Sequence, residues 1–233
     1  MPALPPVCHD PGVSASPSPS PSPSAAPPAS VYESHVTVRC AGPGARARLR
    51  RWADAAGLKL THIVLARGRV REQPMLTLSG SASYAEQAAR VRQVVARLRA
   101  DGFEPVRVKT ESAPWAPEVP ARLGADDERY FEHHVKLLLD ADTDLAALAA
   151  RVIPHGAHLS WNARRPRAGA RHERFVTQRC RGVGAEGAGR ALQRLLAELD
   201  GLDVLGVERE FVLYDSDVSV DDGWIEEPVR AGG

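Results

Sequence analysis

The sequence lacks several features that would assign a class of protein directly. No apolar run approaches the roughly 18 residues of a membrane-spanning helix. No basic segment followed by an apolar one marks a signal peptide at the N-terminus. The three cysteines, Cys8, Cys40 and Cys180, are too few for a disulfide framework and show no metal-ligand spacing. These absences favour a cytoplasmic protein without a membrane segment.

Net charge is also low. The 233 residues carry a formal charge of +1, which argues against nucleic acid as a partner, because such proteins usually have a large basic excess. Of the 30 basic residues, only Lys59, Lys109 and Lys136 are lysines, and the rest are arginines. Against such a background, each lysine gains weight as a candidate functional residue.

A repeated pattern is the main positive signal. The stretch Tyr32-Glu33-Ser34-His35-Val36-Thr37-Val38 returns 99 residues later as Phe131-Glu132-His133-His134-Val135-Lys136-Leu137. Glu111 precedes Glu210 by the same interval. Self-similarity at a fixed interval predicts an internal duplication.

Hydrophobic periodicity predicts the element order βαββαβ in each copy. The predicted fold class is α+β: two tandem ferredoxin-like repeats with open antiparallel sheets, forming a bilobal molecule. The predicted segments are a disordered Pro/Ser-rich tail (1–30), the first repeat (31–112), a linker (113–128), the second repeat (129–215) and an acidic C-terminal tail (216–233).

Candidate site residues follow from strand alternation. In a ferredoxin-like unit the helices cover one sheet face, and successive side chains of a strand point to opposite faces. Alternation places polar side chains on the open face of each sheet, and two such faces in one chain predict a shared cleft. The candidates are Glu33, His35, Thr37, Thr77, Lys109, Glu132, His134, Lys136 and Thr177.

His35 and His134 are the candidate catalytic residues. In acid/base chemistry on a phosphoester, one would take a proton and the other would give one, and their unperturbed pKa near neutrality suits both roles. Lys109 or Lys136 would stabilise developing negative charge. The predicted partner is a small anionic ligand, a phosphoester or nucleotide, with no cofactor.

The tetrapeptide His35-Val36-Thr37-Val38 resembles the His-x-Thr-hydrophobic motif of the 2H phosphoesterase superfamily. The resemblance implies a bilobal enzyme with one motif per lobe, which hydrolyses or ligates cyclic and 2′,5′-linked phosphoesters without a metal. The second copy reads His134-Val135-Lys136-Leu137, so lysine stands in the place of the threonine.

Two alternatives stay open on the sequence alone. The polar faces could pair with a partner protein without catalysis, since cross-strand Glu–Lys and Thr–Thr pairs stabilise sheets with no further role. Alternatively, the protein could bind a metal ion such as zinc or manganese through His35, His134, Glu33 and Glu132.

Overall fold

The computed structural model describes residues 32–124, 126–164 and 171–225. The predicted disordered tail, 1–30, lies outside these residues. The strands and helices are β1 (Tyr32–Arg39), α1 (Gly42–Ala55), β2 (Lys59–Leu65), β3 (Glu72–Ser81), α2 (Tyr84–Ala100), β4 (Glu104–Ser112), β5 (Tyr130–Asp140), α3 (Leu145–Val152), β6 (Ala157–Asn162), β7 (Arg171–Cys180), α4 (Ala185–Glu198) and β8 (Asp203–Asp215). Two short 3-10 helices span Ile153–His155 and Val218–Asp221.

Local signals set the ends of the helices. At the start of α2, the Ser83 hydroxyl accepts a hydrogen bond from the Glu86 amide, and the Glu86 carboxylate accepts one from the Ala82 amide. The first bond is the N-cap half of a capping box, and the second reaches the amide one residue before the N-cap. None of the helices in the described part of the chain is long and apolar enough to cross a lipid bilayer.

The eight strands form one closed antiparallel barrel in the order β1-β3-β2-β6-β7-β5-β8-β4, and β4 pairs with β1. Strands β1–β4 make one half of the wall and β5–β8 the other. Two short seams join the halves: residues 63–65 of β2 pair with 160–162 of β6, and 109–112 of β4 pair with 211–215 of β8. Most pairing within a half is longer, as between β5 and β7, where all of 131–140 is paired, although β6 and β7 pair only over 157–160 and 175–178.

The prediction of a bilobal molecule made of two open ferredoxin-like repeats is therefore wrong. Two separate sheets would leave β2, β4, β6 and β8 as edges with unpaired backbone groups, which folded proteins avoid exposing. The seams pair those edges instead. The polar faces predicted to be open turn inward and enclose the barrel interior, so a partner protein cannot pair with them.

The hydrophobic core lies outside the barrel, between its wall and the helices. In the first half, Val36 and Leu76 of the wall pack with Leu49 and Leu98 of α1 and α2. In the second half, Val135 packs with residues of α3 and α4 in an equivalent cluster. Each buried aliphatic side chain of this kind contributes about 1.5–3 kcal/mol. The apolar faces thus stabilise the outer layers, and the interior combines polar side chains with apolar ones such as Met75 and Phe175.

Residues 216–225, here called the C-terminal strap, follow β8 and pack against one end of the barrel. Trp224 and Ile225 form a buried cluster with Leu65 of β2, and the Trp224 indole donates a hydrogen bond to the Leu159 carbonyl of β6, 3.0 Å away. Asp221 is 3% exposed. This part of the predicted acidic tail therefore closes one end of the interior.

Candidate functional site

The barrel encloses a cavity of about 240 Å³, lined by both polar and apolar side chains, to which all eight strands contribute. A ligand held inside a cavity of this volume is small. Lys59 and Glu208 at the rim are exposed, whereas Asp221 and Trp224 are buried. The cavity therefore has one open end and one end closed by the C-terminal strap.

All nine candidate site residues line this one cavity: Glu33, His35, Thr37, Thr77, Lys109, Glu132, His134, Lys136 and Thr177. Lys59 lines it as well, so the three lysines of the chain all face the same space. Arg107 and Arg179 line it too, so compact ammonium groups and planar guanidinium groups share the cavity.

His35 is fixed by contacts on both ring nitrogens. Its Nδ1 lies 3.2 Å from the Thr77 hydroxyl. Its Nε2 lies 3.3 Å from carboxylate oxygens of both Glu33 and Glu111. These partners come from β1, β3 and β4, so the barrel wall itself sets the orientation of the imidazole.

His134 has the same surroundings in the second half. Its Nδ1 lies 2.9 Å from the Thr177 hydroxyl, and its Nε2 lies 3.2 Å from Glu210 and 3.5 Å from Glu132. Each partner stands 99 or 100 residues after its counterpart around His35. The cavity therefore holds two matched sets, each composed of one histidine, one threonine and two glutamates.

Lys109 connects the two sets. Its ammonium lies 2.5 Å from the carboxylate of Glu111 beside His35 and 2.5 Å from that of Glu132 beside His134. Burial alone would raise the pKa of both glutamates, but the Lys109 charge, together with the contacts of His35 with Glu111 and of Arg179 and His134 with Glu132, lowers both values. The position of Lys109 is taken by Glu208 in the second half, so this bridge breaks the symmetry of the pair.

The neighbouring carboxylates raise the pKa of both histidines. Burial alone would lower the pKa of His35, but the hydrogen bond and negative charge of Glu111 raise it above 6.5. Burial acts in the same direction on His134, where the charge of Glu210 and the contacts with both glutamates raise the pKa to about 10. Burial and the nearby charge of Glu111 raise the pKa of Glu210. The cavity thus holds one imidazolium group, that of His134, and a second imidazole, that of His35, whose pKa the carboxylates raise.

A second network of charges lies at the closed end. Arg107 of β4 binds Asp215 through two hydrogen bonds, 2.5 and 2.8 Å long, and the Tyr130 hydroxyl donates to the same carboxylate at 2.7 Å. Arg179 of β7 donates to Glu132 at 3.0 Å and to Asp221 at 2.7 Å. Every buried charge in this group has an opposite charge beside it, as a low-dielectric interior requires.

Glu132, His134 and Glu210 have the geometry of a metal site, since their ligand atoms all lie within 4.8 Å of one another. Lys109 and Arg179, however, already offset the charge of Glu132. A divalent ion would stand beside the Lys109 ammonium and would have to displace the His134 proton. The metal-ligand set suggested by the sequence also included Glu33 and His35, which belong to the other half of the barrel and are not in this cluster.

We therefore expect the purified protein to hold no zinc or manganese. Elemental analysis after dialysis against a weak chelator is the measurement, with a protein that binds zinc through known ligands as the positive control. A content near one metal ion per chain would contradict this expectation and favour the metal-binding alternative.

Several cavity residues were missing from the sequence-based set. Glu111 and Glu210 were detectable from their 99-residue spacing and their place in the strand alternation. Arg179 follows Thr177 by two residues and so falls on the same strand face. Asp221 carried no usable signal, because an acidic run after the last strand is typical of a solvated tail.

Comparison with known proteins adds no functional assignment. No protein-family model and no curated protein matches the chain. The small subunit of acetolactate synthase from Thermotoga maritima aligns with a TM-score of 0.29 and 11% identity, over 79% of this chain and 95% of that one. The regulatory subunit of aspartate kinase from Thermus thermophilus gives 0.30 and 13%, over 74% and 94%. Structural similarity at TM-scores this low does not indicate a shared function.

Proposed function

We propose that the barrel interior binds a small anionic ligand, with a phosphoester as the chemical class, and that His35 and His134 act on it as base and acid. One observation carries the proposal: two histidines with matched threonine and glutamate partners line the same cavity as every lysine of the chain. Such a protein would be a phosphodiesterase that needs no metal.

The charges near the open end favour an anion. Within residues 32–124, 126–164 and 171–225, no carboxylate pairs with the Lys59 ammonium, and Lys136 is paired with one, Glu173, at 3.0 Å. The protonated His134 adds positive charge deeper in the cavity. A phosphate entering past Lys59 would meet Lys136, which a single carboxylate offsets, and a cation beside a reacting group stabilises developing negative charge.

The histidines differ in a way that assigns their roles. The pKa of about 10 keeps His134 protonated at neutral pH, which suits a general acid. His35, whose pKa is raised above 6.5, would act as the base once it loses its proton. Activity should therefore rise as the pH passes through the raised pKa of His35 and fall again near pH 10.

The resemblance to 2H phosphoesterases contributes the reaction type to this proposal. It does not contribute the architecture, because the chain is a single closed barrel and not a bilobal molecule. The threonine that contacts His35 is Thr77 of the neighbouring strand, and not Thr37 of the tetrapeptide.

The cytoplasmic location inferred from the cysteine content remains a prediction.

The test is hydrolysis of small cyclic phosphodiesters followed by phosphorus-31 NMR. We expect His35→Ala and His134→Ala each to reduce kcat by about 10²–10⁴, the usual contribution of a positioned acid or base. His155→Ala removes a histidine that does not line the cavity and should leave the rate unchanged. Equal rates for the wild type and His35→Ala would exclude the catalytic role, and calorimetry with inorganic phosphate would then test binding alone.

A further inference from the structure

The closed end of the cavity contains a set of hydrogen-bond donors that converge on one carboxylate. Asp221 accepts hydrogen bonds from Arg179 at 2.7 Å, Arg107 at 2.9 Å and Gln73 at 3.1 Å. Their strands, β7, β4 and β3, belong to both halves of the barrel. Because β2 and β6 separate β3 from β7 in the wall, a carboxylate that touches both strands lies inside the barrel.

The Asp221 carboxylate does not come from the barrel itself. It belongs to the C-terminal strap, which reaches the cavity from outside through the short 3-10 helix Val218–Asp221. The three donors, by contrast, are side chains of the wall. The barrel strands therefore supply the hydrogen-bond donors, and a separate segment supplies the carboxylate that accepts from them. A ligand site occupied by part of the protein's own chain has this arrangement.

We infer that Gln73, Arg107 and Arg179 form a second anion subsite, which takes a small oxyanion such as a carboxylate or phosphate and which Asp221 occupies in the resting protein. The inference rests on the proposed function in one respect, since the competing anion enters the same cavity. It does not require His35 or His134 to perform chemistry.

The charges at the subsite allow an external anion to replace Asp221. When Asp221 leaves, Arg107 keeps Asp215 and Arg179 keeps Glu132 as partners. Neither guanidinium is then left unpaired, yet both retain donors directed at the vacated position. An incoming oxyanion restores the lost hydrogen bonds, and the displaced Asp221 carboxylate regains its hydration.

The strap is held by a few identifiable contacts. The Arg69 side chain donates to the Ser219 hydroxyl at 3.1 Å, and the Arg69 amide donates to the Asp222 carbonyl at 2.8 Å. Gly68, at φ +110°, lies so close to the strap that a Cβ there would stand 2.9 Å from Cβ of Trp224. A substitution at Gly68 should therefore loosen the strap while all three donors stay in place.

The test compares the affinity for acetate and for inorganic phosphate, by titration calorimetry at constant ionic strength, in the wild type, Asp221→Asn and Asp222→Asn. Removing the internal competitor raises the fraction of protein with a free subsite. We expect Asp221→Asn to bind at least one of the two anions about ten- to a hundredfold more tightly than the wild type does. Asp222 is exposed on the same segment, so Asp222→Asn should match the wild type. Equal affinities in all three proteins would overturn the subsite.

Two further measurements cover the case in which Asp221→Asn does not fold. Gly68→Ala should bind the anion more tightly than the wild type, by a factor of several. In the wild type, saturating anion should increase acrylamide quenching of Trp224, an effect that Trp224→Phe removes. Unchanged affinity in Gly68→Ala together with unchanged quenching would overturn the inference. Loss of phosphoester hydrolysis with the Asp221→Asn effect intact would reject the histidine chemistry alone.

Discussion

Lys109→Met is expected to lower the free energy of unfolding by about 3–5 kcal/mol at pH 7, the cost of leaving buried charges without their partner. The ammonium lies 2.5 Å from both Glu111 and Glu132, each 2% exposed. Removing it leaves two carboxylates close together in a cavity where their remaining partners cannot offset the desolvation. Urea denaturation measured over a range of pH is the appropriate experiment.

The loss of stability in Lys109→Met should depend on pH in a defined direction. In the wild type, Glu111 and Glu132 have pKa values below their ordinary 4.5, so their stabilisation is present above pH 4.5 and is lost as the pH falls through their folded-state values. Without Lys109 these carboxyls gain protons more readily. The variant should therefore approach the wild type in stability under acidic conditions.

Lys136→Met is the matched control. Its ammonium is about a quarter exposed and pairs with Glu173 at 3.0 Å. A partly exposed pair of this kind contributes about 0–1 kcal/mol. The expectation would be contradicted if both variants lost a similar free energy of unfolding, or if the loss in Lys109→Met did not shrink at low pH. Either result would show that the Lys109 bridge between the two histidine sets does not stabilise the fold more than an ordinary surface ion pair does.

His134 is expected to make stability fall on the alkaline side of neutrality. Its folded-state pKa of about 10 lies above its ordinary 6.5, so its contribution is complete below pH 6.5 and is lost as the pH rises toward 10. Across this window the free energy of unfolding should decline by up to about 1.4 kcal/mol per pH unit from this residue. The groups that face His134 are Glu132, Glu210 and Thr177.

His134→Gln isolates that contribution, because other groups of the unfolded chain titrate equally in both proteins. The difference in stability between wild type and variant should shrink from pH 6.5 to pH 10, whereas His155→Gln should follow the wild type. NMR titration of the His134 imidazole gives the pKa directly. A midpoint near 6.5 would mean that the two glutamates do not hold its proton, and the role of general acid would then be lost.

Strand alternation was enough to predict which side chains share a face. Glu33, His35 and Thr37 line the cavity because side chains of an extended backbone alternate with a period of two, whatever lies around the strand. The same rule brought Glu132, His134 and Lys136 to the same space. Alternation is a property of the backbone, so it can be read from local sequence.

Closure of the barrel could not be read in this way. The seam residues 63–65 pair with 160–162, about a hundred residues away, and nothing in either segment distinguishes an edge strand from a paired one. A polar sheet face also has the same sequence pattern whether it meets bulk solvent or an enclosed cavity. The fold-class prediction failed at that point, because the decisive contacts are non-local.

The partners of the buried charges could not be predicted from the sequence either. Arg107 and Arg179 could be assigned to the inner face, but the residue that joins them, Asp221, belongs to the strap. Its position depends on Trp224 packing against β2 and β6. Because the interaction requires three separate segments to be in place, no single segment shows a sequence pattern that predicts it.

The two short seams have a consequence for how the molecule opens. Pairing within the halves is mostly longer, as between β5 and β7, whereas the halves meet through 63–65 with 160–162 and 109–112 with 211–215. Proteins open locally in roughly contiguous cooperative units. Each half of the wall is such a contiguous unit, and the seams are where two units of this kind would part. Because Lys109 lies in one of those seams, parting there would admit water to the bridge between the histidine sets.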